Sequence, residues 1–242
     1  MNIALIGYGK MGKAIEQLAL DAGHSIHGRF TSRPYSSDDL KNADVAIEFT
    51  NPHSAVDNIK KCFEAGVPVV VGSTGWYAQF EEIKELSLKN EVALFYATNY
   101  SLGVNIFFEL NKTLARLMNP HAVYEPSMLE IHHLQKKDAP SGTAITLAEG
   151  LIENLDRKKT WIHREAQNIV SEDAFALQID SVREGEVPGT HTITYKSTVD
   201  EIVITHQAFN RTGFASGALK AAEWLVNKKG VFTMKDLLGY TN

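Results

Sequence analysis

Asn2-Ile-Ala-Leu-Ile-Gly7-Tyr8-Gly9-Lys10-Met11-Gly12-Lys-Ala-Ile-Glu-Gln-Leu-Ala-Leu20 is the stretch whose reading decides the fold. Asn2 to Ile6 is an apolar run of strand length. The glycine turn follows, and apolar residues at 14, 15, 18 and 19 then mark one face of a helix. In such a strand–turn–helix, Gly7 permits the tight turn, Gly9 lets the backbone approach a pyrophosphate, and Gly12 lets helix and strand pack closely. A glycine pattern alone says little. One that follows a strand and opens a helix is the signature of a dinucleotide-binding unit. The plainer alternative is a strand–helix turn with no ligand.

Outward from this turn, strands and helices alternate. Ser25 to Phe30 reads as a second strand and Asp44 to Phe49 as a third, ending at Thr50-Asn-Pro. Ser54 to Ala65 reads as a helix stopped by Gly66, and Pro68 to Val71 as a fourth strand ending in Gly72-Ser73-Thr74-Gly75. Trp76 to Leu88 is a predicted helix and Val92 to Tyr96 a fifth strand. Alternation of this kind implies a parallel sheet with helices on both faces. Ligands of such sheets bind at the carboxyl ends of the strands. Gly7–Gly12, Phe49–Thr50, Gly72–Gly75 and the segment Ala97-Thr98-Asn99-Tyr100 are therefore expected along one edge.

The end of the second strand bears on which dinucleotide is bound. Gly28-Arg29-Phe30-Thr31-Ser32-Arg33 lacks the acid that takes the ribose hydroxyls of NAD. Two arginines and two hydroxyls stand there instead, a pattern suited to a 2′-phosphate. NADPH is the expected cofactor, with NADH as the alternative donor, and Ser32 and Arg33 join the candidate cofactor residues.

The pattern then changes. Val104 to Met118 is a predicted helix. Phe175 to Arg183, Thr190 to Lys196 and Glu201 to His206 alternate in part, punctuated by Gly185 and Pro188-Gly189. Ala215 to Asn227 is a helix expected to return to the first domain, followed by a short Met234–Leu238 segment. The basic run Arg157 to Lys159 reads as a solvated turn. The fold expected is α/β. A Rossmann-like dinucleotide-binding domain (1–102 and 212–242) is joined to a second, α+β domain (103–211) with a mixed, largely antiparallel sheet for substrate binding and oligomerisation.

Between the two patterns lies Glu130-Ile-His132-His133-Leu-Gln-Lys136-Lys137-Asp138-Ala-Pro-Ser141-Gly142-Thr143. It reads as strand, polar loop, helix N-terminus, with Ser141 or Thr143 as the cap. A helix start flanked by Lys136 and Lys137 suits an anion such as a carboxylate. Histidine can hold a proton ready near neutral pH, and a lysine beside an anion stays protonated. The bland reading is a capped helix with a solvated loop; the combination of proton carriers, cations and an anion-binding helix end in one loop favours a site.

Composition bounds the rest. The 242 residues are 44% hydrophobic, enough for one large or two small cores. A net charge of −5 with no basic block gives no reason to expect nucleic acid or an anionic membrane as partner. The single cysteine, Cys62, cannot form an internal disulfide and sits in a helical stretch. No apolar run reaches membrane-spanning length, and the start Met-Asn-Ile-Ala lacks a basic leader, so a cytoplasmic location is expected.

Over essentially its whole length the chain resembles the dihydrodipicolinate (4-hydroxy-tetrahydrodipicolinate) reductase family of diaminopimelate and lysine biosynthesis. The most specific element is the Glu130-to-Thr143 segment, similar to the family's E-x-H-H-x-x-K-x-D-A-P-S-G-T. Gly7–Gly12, Gly72–Gly75, Asn99–Asn105, Arg183–His191 and Arg211–Ala218 are similar too. The resemblance implies hydride reduction of a cyclic, imine-type dicarboxylate, with His132 and Lys136 as catalytic proton carriers. It implies His133, Ser141, Gly142 and Thr143 on the substrate carboxylates. It implies Gly7, Tyr8, Gly9, Lys10, Met11, Gly12, Gly72, Ser73, Thr74, Ala97, Thr98, Asn99 and Tyr100 on the cofactor. It also implies a homotetramer and no resident metal. The missing acid after the second strand and Ser73 in place of a common threonine are the departures. Two other classes compete: another NAD(P) oxidoreductase, such as a semialdehyde dehydrogenase with Cys62 as nucleophile, and a non-catalytic cofactor-sensing protein.

Overall fold

The opening run folds as β1 (Asn2–Ile6), and the helix after Gly9 is α1 (Lys10–Asp21). In chain order there follow β2 (Ser25–Phe30), β3 (Val45–Glu48), α2 (Pro52–Glu64), β4 (Val69–Val71), α3 (Phe80–Asn90) and β5 (Leu94–Tyr96). Next come α4 (Leu102–Met118), β6 (Glu125–His132), α5 (Gly142–Ile152), β7 (Thr160–Glu165), β8 (Ala176–Arg183), β9 (Thr190–Lys196) and β10 (Glu201–Gln207). The chain closes with α6 (Thr212–Leu225), β11 (Val231–Phe232) and α7 (Met234–Leu238). The computed structural model describes residues 1–165, 173–210 and 212–240; Arg211, where one of the resembling segments begins, and residues 241–242 lie outside them.

The chain divides into two units, Met1–Leu102 with Thr212–Asn242, and Gly103–Arg211. The first is built on a parallel sheet of order β11-β5-β4-β3-β1-β2. The inner strands β1, β3, β4 and β5 are buried on both faces, which is why they read as near-continuous apolar runs rather than alternating ones, while the edge strand β2 is only partly buried. Ile3, Leu5, Ile47, Val70 and Phe95 pack with Ile15 and Ala19 of α1 and Ala218 and Ala222 of α6. Ala4, Ile6, Ala46, Val69, Val71 and Leu94 pack on the other side with Ala55 and Ile59 of α2 and Ile83 of α3. Each large apolar side chain so buried contributes about 1.5–3 kcal/mol. Cys62 lies fully buried in that second cluster.

The glycine turn is forced by packing. Gly7 has φ +93°, and a Cβ there would stand 2.1 Å from the Phe49 carbonyl oxygen. A Cβ on Gly12 would stand 2.3 Å from the Gly7 carbonyl oxygen. These contacts bring α1 down onto the end of β1, aiming its N-terminus along the sheet's carboxyl edge.

The second unit carries a sheet of order β10-β9-β6-β8-β7. β6 and β7 both run parallel to β8, while β9 runs antiparallel to β6 and β10. The sheet is thus evenly mixed rather than largely antiparallel, because β7, which the sequence pattern did not mark, adds a second parallel pair. Phe107, Ala115 and Met118 of α4 and Leu147, Ala148 and Leu151 of α5 cover its inner face with Met128, Ile179, Ile193 and Tyr195.

Two local expectations fail for physical reasons. The helix expected from Trp76 starts only at Phe80, after a single tight turn at Tyr77–Gln79. Trp76 is pinned in the core, its indole N–H donating to the Ser73 carbonyl at 2.9 Å. The basic run at Arg157–Lys159 is no solvated turn. Lys158 is 2% exposed, pairs with Glu125, and donates to the carbonyls of Ala174 (2.9 Å) and Ala176 (3.1 Å). Arg157 donates to the carbonyls of Met118, Asn119 and Tyr124. Both side chains staple the start of β7 to the rest of the sheet.

Candidate functional site

At the carboxyl edge of the first sheet lies a cavity of ≈ 670 Å³ lined by Gly7, Tyr8, Gly9, Ser32, Arg33, Thr50 and others. These are the residues the sequence marks after β1, β2 and β3, brought together by the parallel topology. The arrangement suits a dinucleotide. α1 has no acid in its first turn, and a Cβ on its cap, Gly9, would meet nothing within 4 Å, so backbone N–H groups there are open to an anion. Gly72, Ser73, Thr74, Ala97, Thr98 and Asn99 follow β4 and β5 at the same edge but do not line this cavity. The Ser73 hydroxyl accepts from the Thr50 amide at 2.8 Å. Lys10 is exposed, while Met11 packs on the core.

Two residues are placed otherwise than the sequence suggested. Tyr100 is 2% exposed, and its hydroxyl donates to the Val71 carbonyl at 2.7 Å, so its side chain belongs to the core and only its backbone borders the edge. Arg29, read with Arg33 as a phosphate ligand, is latched to Glu16 of α1. Its Nε donates to that carboxylate at 3.2 Å, its Nη2 pairs with it more closely, and its guanidinium lies 5.7 Å from the Tyr8 ring centre. The Arg29 bond, then that of the Tyr8 hydroxyl, holds the Glu16 carboxyl below its usual range. Of the two arginines, Arg33 lines the cavity, beside Thr31 and Ser32.

The second cluster is set by strand register. Along β6 the alternate residues Pro126, Met128, Glu130 and His132 face inward. Register places Ser181 of β8 and His191 of β9 beside Glu130, and Arg183 beside His132. Ser141 caps α5, its hydroxyl accepting from the Ala144 amide at 3.2 Å. The Glu130 carboxylate, 1% exposed, gathers this group. It accepts from the Ser141 amide (3.1 Å to each oxygen), the Ser181 hydroxyl (2.8 Å) and Arg183 Nη2 (3.2 Å). His132 Nδ1 lies 3.3 Å from the same carboxylate and His191 Nε2 3.8 Å.

Arg183 in turn donates to the carbonyls of Lys136 (3.3 Å) and Asp138 (2.6 Å), fixing the middle of the loop. Lys136 Nζ is bound to both oxygens of Asp138, at 2.9 and 2.8 Å. Gly189 is required beside His132: a Cβ there would come within 3.0 Å of His132 Nε2. His132 and Ser141 thus meet at Glu130, Lys136 turns its ammonium to Asp138, Gly142 and Thr143 open α5, and half-buried His133 stands at the start of the loop.

Burial alone would raise the Glu130 carboxyl, but bonds from His132, Ser141 and Ser181 hold it well below the usual carboxylate range. His191 goes the other way: burial, then the neighbouring His132, push it down to about 4, so it is neutral at physiological pH. Its Nε2 lies 3.2 Å from the Ser141 hydroxyl. Glu130, His132 and His191 are close enough to ligate a metal, within 4.8 Å, but the carboxylate already has the Arg183 guanidinium as its cation.

A prediction follows from His191. Between pH 6.5 and about 4 the unfolded chain binds a proton that the folded one refuses, so stability falls as pH drops through that window. The full effect is about 3 kcal/mol. Melting curves of His191→Asn should be flatter across this window than those of the wild type; identical slopes would mean that His191 is not the group concerned.

The sequence reading passed over Glu130, Asp138, Arg183, Gly189 and His191 as individual contributors. For Glu130 the signal was present: it stands two residues after Met128 and two before His132, on the inward face of a strand. Cys62 is fully buried and its thiol is pushed up by that burial, which removes it as a nucleophile and with it the semialdehyde-dehydrogenase reading.

Comparison with known proteins agrees over the whole chain. The family model described as dihydrodipicolinate reductase, N-terminus, matches residues 1–100, and that for the C-terminus matches residues 103–238. The 4-hydroxy-tetrahydrodipicolinate reductase of Christiangramia forsetii is 46% identical over 245 residues, covering 98% of each chain. That of Chromobacterium violaceum is 33% identical over 268 residues, again covering 98% of each. Among solved structures, a dipicolinate-bound dihydrodipicolinate reductase from Paenisporosarcina sp. TG-14 superposes with a TM-score of 0.75 at 21% identity, covering 98% of each chain.

Proposed function

This chain belongs to the dihydrodipicolinate reductase family, and from that premise we propose that it reduces 4-hydroxy-tetrahydrodipicolinate with NADPH, using the loop from His132 to Thr143 as its substrate site. The reaction is an NAD(P)H-dependent step of diaminopimelate and lysine biosynthesis. The observation that carries the site assignment is the convergence on Glu130 of the histidine, the lysine-bearing loop and the helix start.

The bound nicotinamide supplies the hydride; the residues of the chain bind, orient and carry protons. The start of α5 offers the N–H groups of Gly142 and Thr143 to one carboxylate, with His133 beside it. Lys136 Nζ answers the second. In the free protein it is paired with Asp138, whose side chain is 61% exposed. Such an exposed pair contributes at most about 1 kcal/mol, so a substrate carboxylate displaces Asp138 easily. Lys136 Nζ, the more accessible of the two proton carriers, delivers the proton that follows hydride addition. His132, whose Nδ1 lies 3.3 Å from the Glu130 carboxylate, keeps its Nε2 as the second proton-bearing atom.

A spectrophotometric assay with freshly generated 4-hydroxy-tetrahydrodipicolinate, run with NADPH and with NADH, tests this reading. No turnover with either cofactor would end it and would favour a cofactor-sensing role. For the cofactor preference, Arg33→Ala should raise the KM for NADPH several-fold more than that for NADH. An equal effect on both would remove Arg33 from the 2′-phosphate site.

Assembly as a homotetramer through the second sheet fits the edge strand β10, where Ile202 and Val203 are 39% and 48% exposed. An uncovered edge of this kind invites pairing with another chain. Light scattering should give four chains per particle; a monomer at working concentration would contradict the proposal. No helix among the described residues is long and apolar enough to cross a membrane. We place the enzyme in the cytoplasm, to be checked by cell fractionation.

A further inference from the structure

Glu48 ends β3 with its carboxyl fully buried. Its Oε1 accepts from the Thr50 amide (3.1 Å), the Thr50 hydroxyl and Asn58 Nδ2 (3.3 Å), while Oε2 has no partner among the described residues. The chain of bonds continues on both sides. The Tyr35 hydroxyl donates to Asn58 Oδ1 at 2.7 Å, and the Thr50 amide is shared with the Ser73 hydroxyl at 2.8 Å. Tyr35, Thr50 and Asn58 line the cavity beside the glycine turn. One buried carboxyl therefore holds a wall assembled from the segments after β2, β3 and β4 and from α2.

Among the described residues no cation faces this carboxyl. The titratable groups that do are Tyr35 after β2, Cys62 on α2 and Tyr100 after β5, none of which can carry positive charge. Lys61, on the same helix as Cys62, is paired with Asp57 at 2.8 Å. A buried carboxylate without a cation takes up a proton instead of remaining charged. Burial accordingly pushes the Glu48 carboxyl up, against the opposing bonds from Thr50, Ser73 and Asn58.

We propose that Glu48 is a positioning residue of the cofactor cavity, whose uncharged carboxyl fixes Thr50, Asn58 and Tyr35 while presenting no negative field to the cofactor's pyrophosphate. The inference rests on reading this cavity as the dinucleotide site. Ionised, the same group would repel the pyrophosphate through a low-dielectric wall. Its partners would keep their acceptor, but the anion would bind less tightly.

The test is NADH binding, followed by fluorescence, from neutral to alkaline pH; its pyrophosphate does not titrate there, and it lacks the 2′-phosphate that would confuse the reading. For the wild type, Kd should rise with pH once the Glu48 value is passed, by no more than about tenfold per pH unit, the limit for one proton. Glu48→Gln keeps the acceptor without the charge. Its curve should be flat where the wild type rises, with a neutral-pH Kd within a few-fold. Glu48→Ala, which loses the acceptor, should bind about tenfold or more weakly at every pH.

Melting of the apo-protein gives a second readout. Above about pH 4.5 the unfolded Glu48 gives up a proton that the folded one keeps, so wild-type stability declines with pH, a slope that Glu48→Gln should lack. Matching pH curves for wild type and Glu48→Gln in both measurements would overturn the proposal. So would a Glu48→Gln variant that binds NADH as poorly as Glu48→Ala. Failure of the wild type to bind either NADH or NADPH would instead remove the cavity reading. Should Glu48→Ala not fold, the comparison of wild type with Glu48→Gln still decides the matter.

Discussion

Lys136→Ala will lower turnover by on the order of a hundred- to ten-thousandfold, the usual range for removing a general acid–base group. In the proposed mechanism the side chain is a proton source and an electrostatic clamp at once, and alanine removes both. Among the described residues its ammonium is bound only to exposed Asp138, so no buried partner is left stranded by the change. The melting temperature should therefore stay close to the wild-type value. Cofactor affinity should persist, because the glycine turn proposed to hold it belongs to the other unit. His132→Ala should chiefly lower kcat and Thr143→Ala chiefly raise KM, since transition-state groups and binding groups leave different kinetic signatures. If the loop were only a capped helix, the same variants would lose stability and keep their turnover. Full activity in Lys136→Ala would defeat the assignment of this loop as the substrate site.

How much of this could be read from the chain depends on the range of the interaction. The glycine turn was legible because its determinants are local: strand, Gly7, Gly12 and helix lie within about twenty residues and their spacing encodes the clash distances later seen at Phe49 and Gly7. Strands β1, β3, β4 and β5 of the first sheet were legible because burial on both faces leaves near-continuous apolar runs, whereas the partly buried edge strand β2 leaves none and was marked by its place after α1. β11, two residues long, is too short to leave such a signal. The Arg29–Glu16 latch was invisible because it joins β2 to α1, and nothing in either segment announces the other. Tyr100 looked like a cleft residue by position; its anchoring to Val71 depends on the neighbouring strand. Lys158 looked solvated for the reason most lysines do, and only the tertiary pairing with Glu125 and two carbonyls makes its burial tolerable.

Glu130→Ala will be the most damaging single change in the second unit, in stability and in turnover together. The carboxylate is 1% exposed and answers the Ser141 amide, the Ser181 hydroxyl and the Arg183 guanidinium. Removing one partner of a buried ion pair typically costs about 3–5 kcal/mol, because the other charge is left uncompensated. For a protein of this size that corresponds to a fall in Tm of roughly 6–20 °C. The catalytic loss has its own path. Glu130 holds the start of the loop through His132, its middle through Arg183 and the carbonyls of Lys136 and Asp138, and its end through Ser141. Alanine releases all three at once, whereas Glu130→Gln keeps an acceptor for Ser141 and Ser181 and should lie between the wild type and Glu130→Ala in both measurements. Arg183→Lys separates the two effects: it keeps a cation for Glu130 but cannot reach two carbonyls and a carboxylate together. It should lose turnover more than Tm. A Glu130→Ala variant that melts with the wild type would show that the carboxylate is not the centre of this network. One that melts early but retains full kcat would show that the loop is positioned by other means.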